Sequence, residues 1–125
     1  IVTPDLAQAL NKVRDHFNVN SAAQAMAYYS LDDNSELERR VRENTIQRTR
    51  FENALDSMQI AHYPSHTNFV YAFFDDAQAV FEALIEHGII VRPMGNSALR
   101  IGISTPEDTT YVIDTFCQLR EQGRL

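Results

Sequence analysis

One cysteine in 125 residues, Cys117, excludes an internal disulfide. Set among Val112, Ile113 and Phe116, it is expected to be a small buried apolar residue, and a reduced, cytoplasmic compartment is the matching expectation. Tryptophan is absent, and lysine occurs once, at Lys12, against ten arginines. The net charge of −6 leaves no basic surface broad enough to neutralise a run of phosphates, and aromatic and basic residues do not alternate, so nucleic acid is not an expected partner. No stretch approaches the roughly 20 apolar residues of a membrane span, and the first residues carry neither a basic nor an apolar signal region. A membrane partner is therefore not expected either. The four histidines, His16, His62, His66 and His87, lack the spacing that puts two ligands on one helix face, and no cysteine cluster completes a metal site. Repeats and low-complexity tracts are also missing.

What remains is a globular composition, 44% hydrophobic and 22% charged, at a length suited to one domain, 1–125. The chain opens at Ile1 on a helix start, Thr3-Pro4-Asp5, so the natural terminus is expected elsewhere and the chain is read as a fragment. Leu6, Leu10 and Val13 form the stripe of a first helix. Asp15 to Asn20 break the pattern, and Ser21 is expected to cap the alanine-rich run to Ser30. From Ser35 to about Gln59 a long helix is expected. Leu37, Val41, Phe51, Leu55 and Met58 would be its apolar stripe, with interleaved acids and arginines on a solvated face.

After Pro64 the period changes. Phe69 to Phe74 is aromatic and β-branched at both alternations, which predicts a central strand covered on two sides. Asp75-Asp76 opens a helix carrying Ala77, Val80, Phe81, Leu84 and Ile85, and Gly88 stands where a left-handed cap is needed. Ile89-Ile90-Val91 is read as a strand and Pro93 to Ser97 as a turn. Leu99, Ile101 and Ile103 alternate with polar or small residues as a two-faced strand, and Thr105-Pro106 starts the last helix. The expected fold is an α/β (α+β) sandwich with a small, mostly antiparallel sheet covered by helices.

Arg100 is the residue most suggestive of chemistry. A guanidinium within an apolar strand loses water and needs an anion, and its planar fork suits both oxygens of a carboxylate. The plain alternative is an ion pair with an acid such as Glu107, or exposure on an edge strand. Arg92 leaves the preceding strand and would stand near Arg100 if the two strands pair, although on its own Val91-Arg92-Pro93 reads as a solvated arginine at a turn. His62 and His66 are read as inert loop histidines, and Tyr28-Tyr29 as helix-surface residues.

Four stretches, Phe17 to Ala25, Pro64 to Val70, Gly88 to Met94 and Leu99 to Glu107, together resemble the C-terminal third of histidinol-phosphate aminotransferases. Gly102-Ile103-Ser104-Thr105 stands where that family commonly has Ser-Ile-Gly-Thr, and the connection from Arg92 to Arg100 is short. The resemblance implies a pyridoxal-phosphate homodimer that moves an amino group between histidinol phosphate and 2-oxoglutarate or glutamate. It implies that Arg100 binds the substrate carboxylate, or the phosphate side of the alternative substrate, and that Arg92 is the second anion-binding arginine. The Asn18 to Asn20 segment would lie where the small domain meets the large one. The cofactor-anchoring lysine belongs to that large domain, and Lys12 lacks its context, so these residues alone are expected to be inactive. Two alternatives stay open: the small domain of a threonine-phosphate decarboxylase or aromatic aminotransferase, and a non-enzymatic module that binds a small anionic amino acid or phosphate.

Overall fold

The computed structural model describes residues 2–15 and 18–125; Ile1, His16 and Phe17, the last two in the expected break after the first helix, lie outside the described residues. The chain divides into two compact units, Ile1–Leu37 and Glu38–Leu125.

The first unit contains α1 (Pro4–Asn11) and α2 (Ser21–Ser30). Pro4 takes the first helical position as expected, but the Thr3 side chain makes no capping bond. The cap of α2 is Asn20, whose Oδ1 accepts from the Ala23 N–H at 2.8 Å, so Ser21 is already helical. Asparagine wins because its side-chain oxygen reaches the third residue on. Tyr28 and Tyr29 are exposed and meet edge to face, with centroids 5.6 Å apart.

Helix α3 (Asn34–Ser57) carries its stripe into the core only in its last turns: Phe51, Leu55 and the following Met58 are buried, whereas Leu37 and Val41 are exposed. The arginine-rich stretch is more than a solvated face. Arg39 does pair with Glu43 in the ordinary way. Arg48, however, donates to the Thr67 carbonyl at 3.0 Å and Arg50 to the Thr110 hydroxyl at 2.8 Å, while Glu52 accepts from the Ser65 N–H at 2.8 Å. These long side chains tie the helix to the loop between the first two strands and to the last helix.

Four strands follow, β1 (His62–Tyr63), β2 (Phe69–Phe73), β3 (Arg92–Pro93) and β4 (Ala98–Gly102), in the order β1-β2-β4-β3 with every pairing antiparallel. Helix α4 (Ala77–Glu86) connects β2 to β3, and α5 (Pro106–Glu121) follows β4. Val70, Ala72, Leu99 and Ile101 point from the two inner strands into one core with Leu55, Val80, Leu84, Phe116 and Leu119. This is the expected helix-on-sheet sandwich.

The local signals around α4 and α5 hold. Asp76 caps α4 through the Ala79 N–H, and Gly88 ends it at φ 73°, a conformation that costs a side-chain-bearing residue. Thr105 caps α5 by accepting from the Asp108 N–H at 3.1 Å, with Pro106 in the first turn. Thr105→Ala is expected to cost about 1 kcal/mol in urea unfolding, and a loss under a few tenths would mean the cap is idle. Ser104 also donates to the Asp108 carboxylate at 2.6 Å. That hydroxyl first, and then Thr105, hold the Asp108 carboxyl below its ordinary value of 3.8. A depressed folded pKa means the contribution is present above the unfolded value and is lost as pH falls through the folded one. Ser104→Ala should therefore raise the Asp108 midpoint in a carbon-detected NMR titration; an unmoved midpoint would contradict this.

Four expectations are corrected. Cys117 is exposed, because it falls on the outer side of α5 while Phe116 and Leu119 face inward. Ile89 to Val91 is not a strand: Ile89 is buried against the core, Ile90 is 84% exposed, and pairing begins only at Arg92. His62 is a strand residue rather than an exposed loop histidine. Its register with Ala72 turns the ring to the core side, and Nδ1 lies 3.2 Å from the Ile60 carbonyl. Finally, β2 is buried on one side only; Phe69, Tyr71 and Phe73 are half-buried on the face away from the core.

Candidate anion-binding face of the sheet

The site follows from period 2 in β4. With Leu99 and Ile101 drawn into the core at 0% and 2% exposure, Arg100 must emerge on the opposite face. The turn that returns β3 to β4 is closed by the Met94 N–H donating to the Ala98 carbonyl at 2.9 Å, and Gly95 adopts φ 71° within it. That turn fixes the register: Arg92 lies directly opposite Arg100, and Pro93 opposite Leu99.

Register partners share a face, so the two arginines stand side by side. On the other flank Arg100 is opposite Tyr71, and Tyr71 is opposite Tyr63. One line across all four strands therefore reads Tyr63, Tyr71, Arg100, Arg92. Tyr63, Tyr71 and Phe73 form an aromatic cluster with centroids 5.0 to 5.9 Å apart, and the Arg100 guanidinium carbon lies 4.0 Å over the Phe69 ring.

Like charges directly opposite on a sheet repel, and a half-buried guanidinium is costly without a partner. The usual remedy is a nearby acid. Among the described residues neither the Arg92 nor the Arg100 guanidinium has a carboxylate or hydrogen-bond partner. The expected alternative of a Glu107 ion pair is not formed, and Arg100 is not on an edge strand, since β4 lies between β2 and β3. The structure thus brings the two sequence-chosen arginines together and leaves their ten N–H donors on one face without a side-chain partner among the described residues.

The aromatic residues here were missed by sequence reasoning because β2 is apolar at every position. Size alternation was the available signal: Phe69, Tyr71 and Phe73 are large on one face, while Val70 and Ala72 are small on the other. Asn18 is exposed and Asn20 is spent on its helix cap. The Asn68 carbonyl accepts from the Ile103 N–H at 2.8 Å, extending the β2–β4 pairing.

Pyridoxal phosphate requires a lysine amine for its aldehyde. Lys12, the only lysine, follows the last turn of α1, and the unit holding both arginines contains none. The residues present therefore do not compose a site for that cofactor. No group of metal-ligating side chains occurs among the described residues, and no described helix is long and apolar enough to cross a membrane.

Comparison with known proteins shows the family and the fold. A family model described as aminotransferase class I and II matches residues 1–116. The histidinol-phosphate aminotransferase 2 of Ralstonia nicotianae is 39% identical over 121 residues, which cover 90% of this chain and 32% of that protein. A solved structure from Erwinia carotovora atroseptica shares the fold at a TM-score of 0.91 and 19% identity, over 100% of this chain and 37% of that one. The histidinol-phosphate aminotransferase of Sinorhizobium meliloti, solved in complex with pyridoxal-5'-phosphate, gives a TM-score of 0.80 at 26% identity, over 91% of this chain and 33% of that one. The chain spans about a third of the length of the curated relatives it matches.

Proposed function

Because this chain belongs to the class I and II aminotransferase family, we propose that it is the small C-terminal domain of a histidinol-phosphate aminotransferase, and that its part in the reaction is to hold substrate anions through Arg100 and Arg92. The reading rests on one observation above all: two guanidiniums share one sheet face with no acid partner among the described residues. Arg100, on an inner strand between β2 and β3, is the better fixed of the two and takes the carboxylate of glutamate or 2-oxoglutarate in its fork. Arg92, exposed on the two-residue strand β3, takes the second anion, the phosphate of histidinol phosphate.

The amino-group chemistry itself comes from pyridoxal phosphate held by the large domain of the same polypeptide, in a cytoplasmic homodimer. What these residues supply is orientation. Gripping the anion places the amino or oxo carbon of the substrate at a fixed distance from the reacting centre, which replaces a search through orientations by a single bound pose. Both partners of the reaction are anionic, so one pair of arginines serves each in turn.

The test uses the full-length polypeptide and this chain side by side, with histidinol phosphate and 2-oxoglutarate. The full-length polypeptide is expected to form glutamate. The chain alone, given pyridoxal phosphate, is expected to form none and to show no cofactor absorbance that depends on Lys12. An inactive full-length polypeptide, or a cofactor band lost in Lys12→Ala of the chain, would overturn the proposal.

A further inference from the structure

We propose that Phe69 is a positioning residue for Arg100: its ring holds the guanidinium so that the N–H fork faces an incoming carboxylate. The inference rests on the reading of Arg100 as an anion-binding residue and goes beyond it to what fixes that side chain.

Arginine has a long, flexible stem, and an unanchored fork would sample many directions. In most proteins a carboxylate anchors it, but such an acid also neutralises the charge and occupies the donors that a substrate needs. Arg100 has no acid partner among the described residues; the contact it has is the Phe69 ring, 4.0 Å from the guanidinium carbon. A ring holds a cation through its π face, whereas the N–H groups of guanidinium point outward in its own plane. The side chain is thus restrained without spending a donor or the charge.

The register explains why this ring is available. Phe69 lies opposite Gly102, which has no side chain, and the space where a Cβ would stand has no atom within 4 Å. With no cross-strand side chain to meet, the ring turns to its diagonal neighbour, a separation aromatic side chains can span. Tyr71 is Arg100's direct register partner, but its ring is engaged by Tyr63 and Phe73, with centroids 5.9 and 5.3 Å away. Sequence reading had no means of finding Phe69, because its role depends on Gly102 33 positions further along the chain.

The experiment measures binding of glutarate, a dicarboxylate with no amine, to the full-length polypeptide by calorimetry, in parallel with NMR of its 15N-labelled arginine side chains. Phe69→Leu keeps apolar bulk and removes the ring; it is expected to weaken glutarate about 3- to 10-fold, with Phe69→Tyr within about twofold of the wild type. The Arg100 Hε resonance is expected upfield of those of exposed arginines in the wild type and in Phe69→Tyr, and to join them in Phe69→Leu. Residues that merely fill space would leave that resonance and the glutarate affinity alone. Unchanged affinity in Phe69→Leu, or an unshifted Arg100 resonance in the wild type, overturns the proposal. The resonance decides even if Phe69→Leu does not fold. Arg100→Lys is the control that separates the two readings: if it leaves glutarate binding intact, the anion site itself is wrong, whereas a loss there with none in Phe69→Leu removes only the role of Phe69.

Discussion

Arg100→Lys in the full-length enzyme is expected to lower the specificity constant for glutamate by about 30-fold or more while leaving the fold intact. Lysine keeps the charge but replaces a rigid planar fork by a point charge on a flexible stem, so the two-pronged grip on a carboxylate is lost. Removing one side of a charged hydrogen-bonded pair costs roughly 2–5 kcal/mol, about 30- to several-thousand-fold, and Arg100→Ala should fall toward the larger figure. The fold should tolerate both changes, because the Arg100 side chain makes no hydrogen bond or ion pair among the described residues and faces away from the core. Steady-state kinetics with a thermal-unfolding control check this. Small, equal losses for every donor would make Arg100 a structural residue.

The largest stability effect is expected at Phe116. It is 0% exposed and meets the Phe51 ring edge to face at 5.9 Å and the Phe74 ring at 6.1 Å, so it joins α5, α3 and the end of β2 at one point. Phe116→Ala should cost about 3–5 kcal/mol, since the cavity lies among rings anchored in three separate elements and cannot collapse easily. That is a large part of the roughly 5–15 kcal/mol that holds a typical domain together. Urea unfolding measures it; a cost under about 1 kcal/mol would mean the three elements do not share a packed core.

The sequence was legible where a local rule has one physical solution. Gly88 had to follow α4 because only glycine enters the left-handed region cheaply, and Thr105-Pro106 had to begin a helix because both residues suit its first turn. The alternation Leu99, Arg100, Ile101 likewise put the arginine on its own face of the strand. Legibility failed where the answer lay across the chain. Ile89 to Val91 has the composition of a strand, yet Ile89 is taken by the core and Ile90 is left exposed, and pairing with β4 starts only at Arg92. Cys117 has apolar neighbours in sequence yet lies on the exposed side of α5. Arg48 and Arg50 look like any charged helix face until the loop and helix they bind are in place.

At the candidate site the same division holds. The two arginines could be picked out from residue type and strand position, but their direct cross-strand pairing depends on the length and geometry of the turn through Gly95. The aromatic flank was invisible because an all-apolar strand does not show which of its faces is buried.

The most direct test of the central claim, that this face grips substrate anions, is the ratio of specificity constants for histidinol phosphate and its dephosphorylated form, histidinol, in the wild-type full-length enzyme and in Arg92→Ala. If Arg92 holds the phosphate, the wild type prefers histidinol phosphate strongly and Arg92→Ala loses most of that preference, with histidinol turned over nearly as before. A preference that survives unchanged in Arg92→Ala would show that the phosphate is bound elsewhere and would contradict the account.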